Sequence, residues 1–176
     1  MNNNILWDFD EKKNYIKHFV DGNEYLVLKN KDYVDAAILL HRIAIITLKL
    51  FINIEMNSKR DKFLDLLITT PHFFQEMQLE KDQKQIIFIG LNKPKKIKYV
   101  KDSVPIGTDN KYRASHRVIF LTLRDSKNKL KPLSKIIPLL AHELTHTAMN
   151  HLTFKEDNHD ETFKKYNRII LNYLKD

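Results

Sequence analysis

Residues 132–150 read PLSKIIPLLAHELTHTAMN, and this stretch decides the fold that the sequence predicts. Prolines are tolerated near a helix start, so we expect a helix that begins between Pro132 and Pro138 and runs to the end of the stretch. Apolar side chains recur along it every three or four residues and should face a hydrophobic core: Ile137, Leu140, Leu144 and Ala148. His142 and His146 fall on a different face of this helix.

The spacing of the two histidines indicates a metal site. His142 and His146 lie one helical turn apart, so both imidazoles can reach one tetrahedral zinc ion. Glu143 lies at the edge of the same face, where it can take a proton from a zinc-bound water whose pKa the metal lowers to about 7. This is the chemistry of the His-Glu-x-x-His pattern of zinc peptidases. The sequence therefore predicts Zn²⁺ as cofactor, two histidine ligands and Glu143 as catalytic base.

A third ligand is needed, and two histidines follow the pattern. The extended metzincin pattern is excluded because Met149 and Leu152 occupy its glycine and histidine positions. His151 lies at the end of the same helix and points around from the other two, whereas a loop can fold His159 back onto the metal. This geometry favours His159 and leaves His151 as a rival. The glutamates that stay open as ligands of the thermolysin type are Glu156 and Glu161. The histidines expected to be surface or structural residues are His18, His41, His72 and His116.

Composition limits the other possibilities. The chain has 176 residues and no cysteine, which excludes disulfides and thiolate zinc ligands. Its length suits one hydrophobic core, so we expect a single domain over residues 1–176. The N-terminus lacks the basic start and apolar run of a secretory signal, which favours an intracellular protein. The most apolar stretch, residues 36–54, contains charged side chains, so we expect a buried helix there and no contact with a membrane.

The remaining pattern predicts a mixed α+β chain. Strands are expected over residues 24–28, 85–90 and 118–123. Helices are expected over residues 31–56 and 59–68, and a last helix should have Asn158 as its cap and Glu161 three residues later. Between the second and third strands we expect a basic loop, which contains Pro105 and Gly107.

The net charge of +8 is concentrated in one third of the chain. From Leu91 to Arg124, nine basic residues stand against two acidic ones. Such an excess attracts phosphate backbones or acidic protein surfaces, although lysines that serve solubility would give the same count. We therefore expect DNA as a candidate partner of the basic loop, from Lys93 to Arg124.

The zinc motif belongs to an ordered set of motifs that resembles a known family. The set is IGLN at 89–92, VIFLTLR at 118–124, LAHELTH at 140–146 and HDETF at 159–163. It resembles the WLM family of zinc metallopeptidases, relatives of the spartan-type (SprT-like) proteases that degrade proteins crosslinked to DNA. The likeness is strongest over residues 86–176, about half of the chain. The short form is similar to stand-alone versions predicted in large DNA viruses.

The resemblance implies roles for single residues. The two motif histidines and the histidine of His-Asp-x-x-Phe bind zinc in that family, and the glutamate is the base. This implies His142, His146 and His159 as ligands, Glu143 as base, and hydrolysis of peptide bonds in DNA-bound or DNA-crosslinked proteins. It also implies a zincin-like minimal fold, with a small sheet packed on the motif helix and the strand over 118–123 beside the cleft. The gap between His146 and His159 is longer than is usual for the family, which keeps His151 as a rival.

Two other functions stay open. A basic nucleic-acid-binding or protein-binding module with a purely structural zinc would need a closed site of four ligands, with both His151 and His159 bound. A metal-dependent hydrolase of another amide or of an ester would share the predicted site, and substrate tests would separate it from a peptidase.

Overall fold

The computed structural model of this chain describes residues 14–57, 59–78, 89–100, 111–152 and 159–175. The described elements are, in chain order, β1 (Tyr15–Val20), β2 (Asn23–Leu28), α1 (Tyr33–Glu55), α2 (Lys62–Thr69), β3 (His72–Glu76), β4 (Gly90–Tyr99), β5 (Tyr112–Leu121), α3 (Leu133–Ala148) and α4 (Glu161–Lys175). The predicted α+β class is confirmed, as a mixed five-stranded sheet with four helices.

The sheet has the strand order β1-β2-β3-β5-β4. The pairs β1–β2 and β4–β5 are antiparallel, whereas β3 lies parallel to both β2 and β5. Asp21 and Gly22 connect β1 to β2 with φ angles of 48° and 80°, the left-handed conformations that a tight hairpin turn requires. Among the described strands, β4 therefore lies at the edge of the sheet and β5 lies inside it.

The helices pack against different parts of this sheet. α1 contacts β1, β2 and β3, while α3 contacts β4 and β5 and is flanked by α2 and α4. Both helices form where the sequence predicts them, because their apolar side chains recur with helical spacing. Along α3, Leu140, Leu144 and Ala148 are fully buried as expected, while Ile136 is fully buried and Ile137 only partly. The helix with the zinc motif is thus fixed against the sheet by its apolar face.

α1 has an apolar surface on both sides. It is the one helix of the described residues that is long and apolar enough to cross a membrane, with a mean hydropathy of 1.8 over its most apolar window and 39% of that window buried. Core helices of soluble proteins satisfy the same criterion, and one side of α1 packs on the sheet. The apolar side chains on its other side are Val34, Ile38, Ile45, Leu48 and Ile52. The absence of membrane contact stays a prediction.

The β4–β5 hairpin differs from the predicted organisation. The strand predicted over 85–90 lies mostly outside the described residues. The described parts of the expected basic loop lie mainly in two ten-residue strands, paired from Gly90↔Leu121 to Tyr99↔Tyr112. Lysines are poor strand formers, but cross-strand pairing outweighs that local preference. Pro94 is tolerated because, among the described strands, β4 lies at the edge of the sheet. Pro105 and Gly107 lie outside the described residues.

Two further strands, β1 and β3, are not predicted by the sequence pattern. β3 contains the polar residues Gln75 and Glu76, both buried. Glu76 accepts a hydrogen bond from the backbone N–H of Leu28 at 2.9 Å and one from Arg124 at 2.8 Å. Arg124 also donates to Asp32 at 2.7 Å. Buried polar side chains in β3 hide the apolar alternation on which strand prediction depends, and Glu76 is stabilised there by its hydrogen bonds to Leu28 and Arg124.

Candidate metal centre

Three of the histidines converge at the end of α3. One ring nitrogen each from His142, His146 and His159 lies within 4.8 Å of the others. The Nε2 atoms of His142 and His146 are 3.3 Å apart, because helical spacing stacks the two side chains one turn apart. This donor set can hold a metal ion, and it contains the three histidines that were predicted as ligands.

His159 reaches the cluster because α4 begins directly after it. The side chain of Asp160 accepts a hydrogen bond from the backbone N–H of Phe163 at 2.9 Å and so caps α4. The predicted cap, Asn158, lies outside the described residues. His159 is exposed, and its ring centroid lies 4.8 Å from that of His142.

Phe163 forms an apolar support under the cluster. Its buried ring lies 5.1 Å from the ring of His142, 4.8 Å from that of His146 and 4.6 Å from that of His159. The sequence analysis places Phe163 in the HDETF motif but assigns it no role at the site. The His-Asp-x-x-Phe motif was the available signal, because helical spacing returns this phenylalanine to the side of the histidine.

His146 is the most buried of the three histidines. Burial lowers the pKa of its imidazole well below the ordinary value, and the neighbouring histidines act in the same direction. The ring is therefore neutral near pH 7. A metal ligand must be neutral imidazole, so this environment suits metal binding.

Glu143 lies against the backbone of the edge strand. Its side chain is 3% exposed, and its Oε1 atom is 3.9 Å from Nε2 of His142. A Cβ atom added at Gly90 would lie 2.8 Å from Cγ of Glu143 and 3.0 Å from Cδ1 of Leu139. Only glycine lets β4 approach α3 this closely. In the sequence Gly90 appears as part of the IGLN motif at 89–92, but the need for glycine itself depends on the distance between two distant segments.

A buried polar network ties α3 to the sheet. The side-chain amide of Asn92 donates to the backbone carbonyl of Glu143 at 2.7 Å and to the hydroxyl of Thr147 at 2.8 Å. The same hydroxyl lies 2.8 Å from Nε2 of His72, whose pKa is lowered to about 3 by burial and by the charge of Arg117. His72 is thus a structural residue, as predicted, and its neutral ring anchors the helix.

His151 occupies a position different from that of a ligand. Its Nδ1 atom lies 2.8 Å from Nδ1 of His146, whereas His146 faces His142 through its other ring nitrogen, Nε2. The backbone carbonyl of His151 accepts a hydrogen bond from Arg117 at 2.8 Å. His151 therefore adjoins the cluster from the side of His146 that is turned away from His142.

The histidine cluster opens into two clefts that meet at Glu143. The first has a volume of about 350 Å³ and lies between β4 and the end of α3, and the second, of about 650 Å³, lies beside the first half of α3. Both are lined by Gly90, His142 and Glu143. The strand that borders the clefts is β4. The expectation that residues 118–123 would do so was wrong, because β5 is paired on both sides.

The basic residues of the β4–β5 region separate into two groups. Four of them are buried and belong to the folded interior: Lys95, Arg113, Arg117 and Arg124. Those exposed on the hairpin are Lys96, Lys98 and Lys111. Lys93 is partly buried, and Lys101 lies outside the described residues. The count of nine therefore overstates the charge that a nucleic acid could contact. The hairpin also has two exposed tyrosines, Tyr99 and Tyr112, whose ring centroids are 5.7 Å apart, and Lys98 and Lys111 precede them in the sequence.

Comparisons with protein-family models, with curated proteins and with solved structures find no match to this chain. The histidine cluster, the neighbouring carboxylate and the clefts are therefore the features from which a function is inferred.

Proposed function

We propose that this chain is a zinc-dependent peptidase of the WLM type, in which His142, His146 and His159 bind zinc and Glu143 is the catalytic base. The observation that carries this proposal is the 3.3 Å separation of the two Nε2 atoms on α3, beside a buried carboxylate. Two nitrogens bound to one tetrahedral zinc at about 2.0–2.1 Å lie about 3.4 Å apart. Imidazole donors without thiolates are typical of catalytic zinc sites.

The residues around the cluster have distinct tasks in hydrolysis. When bound, zinc would acidify a water molecule and polarise the carbonyl of the scissile bond. Glu143 takes the proton of the attacking water and delivers it to the leaving amine. Asn92 holds the backbone carbonyl of Glu143, and Gly90 limits the space into which its side chain can move. The carboxylate is therefore held at the position that the reaction requires.

The clefts support an extended peptide as substrate. Within the described residues β4 pairs only with β5, so its outer edge has backbone groups that an extended segment can meet as an added strand. The two clefts lie on either side of Glu143, which gives room for residues before and after the scissile bond. We infer cleavage within a chain, not removal of a terminal residue.

A DNA-bound or DNA-crosslinked protein is the substrate that the family resemblance favours. The end of the β4–β5 hairpin supports this choice with two exposed aromatic rings and with lysines nearby in the sequence, because bases can stack on exposed rings and cations attract the phosphates of single-stranded nucleic acid. Tyr99 and Tyr112 are 55% and 41% exposed, and Lys98 and Lys111 lie next to them in sequence. The proposal places the protein inside the cell, where such substrates occur.

The alternative, a binding module with a structural zinc, needs a fourth protein ligand. The group that converges among the described residues has three members. The fourth ligand that this alternative requires, His151, lies against Nδ1 of His146, whereas Nε2 of His146 is the nitrogen that faces His142. These contacts favour a site with a position left for water.

The test compares the purified protein with its Glu143→Gln variant. We expect about one zinc per chain in both proteins by elemental analysis, because Glu143 is not a ligand. Only the unchanged protein should cleave an unfolded protein substrate, and chelation should abolish that cleavage. A DNA-binding protein digested with and without single-stranded DNA tests the substrate class. Cleavage by Glu143→Gln at the unchanged rate, or the absence of zinc, would contradict the proposal.

A further inference from the structure

We infer that His151 is a positioning residue for the metal site: its Nδ1 accepts the Nδ1–H of His146 and so keeps Nε2 of His146 available to the metal. The inference rests on the proposed zinc site and assigns His151 a role other than that of ligand. It follows from the contacts of the two rings and from the backbone that places His151.

The two nitrogens of His146 face different neighbours. Nδ1 lies 2.8 Å from Nδ1 of His151, and Nε2 lies 3.3 Å from Nε2 of His142. A neutral imidazole has one ring proton, and the nitrogen that binds a metal must be the one without it. If Nε2 binds the metal, the proton is on Nδ1, and His151 is the acceptor at that position. Metal-binding histidines generally donate their second N–H in this way to an oxygen acceptor.

The end of α3 fixes His151 at this position. Asn150 has a φ of 57°, a left-handed conformation that turns the chain back on the helix. The backbone N–H of Asn150 then donates to the carbonyl of Thr147 at 3.0 Å, and that of His151 donates to the carbonyl of His146 at 3.1 Å. These two bonds form a Schellman motif. The motif brings His151 back to the ring of His146.

Two further contacts hold His151 in place. Its backbone carbonyl accepts a hydrogen bond from Arg117, a residue that is 1% exposed and also donates to Asn92 at 3.2 Å. The ring of His151 is parallel to the ring of Phe163, with an interplanar angle of 3° and a centroid distance of 6.1 Å. The acceptor is therefore supported by a buried side chain and by an apolar ring. An acceptor held in this way fixes both the tautomer and the orientation of His146.

The test compares two substitutions that differ in the acceptor. His151→Phe keeps a ring against Phe163 but removes the acceptor, whereas His151→Asn puts a carbonyl oxygen close to the place of Nδ1. Zinc affinity is measured by competition with a chromophoric chelator. We expect His151→Phe to weaken zinc binding by about 10- to 100-fold and His151→Asn to restore most of the loss. NMR of the zinc-loaded protein should show the Nδ1–H proton of His146 protected in the unchanged protein and exchanging in His151→Phe.

Two measurements separate this role from a structural role and from ligation. Melting of the metal-free proteins reports packing, and it should not follow the order of the zinc affinities. The cobalt-substituted proteins should keep the same band intensities, because the coordination number does not change when a residue outside the ligand set is replaced. Unchanged zinc affinity in His151→Phe, no rescue by asparagine, or a changed cobalt spectrum would overturn the inference while leaving the peptidase proposal intact. A chain that binds no zinc would overturn both.

Discussion

Replacing Gly90 by alanine should disable Glu143 without removing the metal. The added Cβ would lie 2.8 Å from Cγ and 3.1 Å from Cδ of Glu143, where ordinary contacts begin at 3.4 Å. The carboxylate must therefore move by about 0.6 Å (3.4 − 2.8), or β4 must retreat from α3. Gly90 is not among the residues with positive φ, so the effect is one of space and not of backbone conformation.

The size of the effect follows from that displacement. A misplacement of a reacting group by about 1 Å can reduce the rate on the order of 10²-fold. For Gly90→Ala we expect kcat/KM to fall about 10- to 100-fold, which corresponds to about 1.4–2.7 kcal/mol in the activation free energy. Overpacking should also lower the free energy of unfolding by about 1–3 kcal/mol. Zinc content should stay the same, since the three atoms nearest to the new methyl group belong to Glu143 and Leu139 and not to a histidine.

The assay measures kcat/KM on a fluorogenic peptide, zinc content and urea unfolding for the same preparations. Gly22→Ala serves as the control, because Gly22 has a φ of 80° and no atom lies within 4 Å of an added Cβ. That variant should lose about 1–2 kcal/mol of stability through left-handed strain and keep its activity. A Gly90→Ala protein with unchanged kcat/KM would refute the reasoning. So would one that loses its zinc together with its activity.

Three further predictions concern the charges and the buried network. Arg124→Met should lower the free energy of unfolding by about 3–5 kcal/mol, because it leaves the carboxylate of Glu76 buried without its cation. Urea unfolding measures this change, and an almost unchanged free energy of unfolding would contradict the burial of the ion pair. Lys98→Glu should weaken binding of single-stranded DNA several-fold in a fluorescence anisotropy titration, and a matched Lys49→Glu variant on α1 should not. The metal-free protein should lose stability as pH falls from about 6.5 towards 3. The pKa of His72 is about 3 in the folded protein, so between these pH values the His72 ring is protonated only in the unfolded chain. His72→Gln should reduce that loss by a few kcal/mol at most, and an unchanged acid profile would count against the buried neutral ring.

The helices were predictable because their signals are local. α1 and α3 form close to the predicted limits, since helical periodicity is complete within each segment. The strands were less predictable, because pairing partners far along the chain decide them. β3 has a parallel neighbour on each side, and the lysine-rich β4 is a strand only because β5 pairs along its whole length.

The residues of the candidate site were also predictable only where the signal is local. The positions of His142, Glu143 and His146 follow from helical spacing alone, so the sequence was sufficient for them. The choice between His151 and His159 depends on the turn at Asn150 and on the start of α4, which involve three-dimensional contacts. Helix-face geometry still favoured the residue that the structure brings to the cluster, because a residue five positions beyond His146 points away from its ligand side.

Arg117 explains how one side chain can serve both parts of the candidate site. It donates to Asn92, which holds the backbone carbonyl of Glu143, and to the carbonyl of His151, which lies against His146. Burying a guanidinium group costs free energy unless it is hydrogen-bonded, so these contacts help to hold Arg117 in the interior, and replacing Arg117 would remove both of them. Arg117, on β5, therefore links the residue that holds the proposed base, Glu143, to the residue that lies against the proposed ligand, His146. This link is additional to α3, the helix that Glu143 and His146 share.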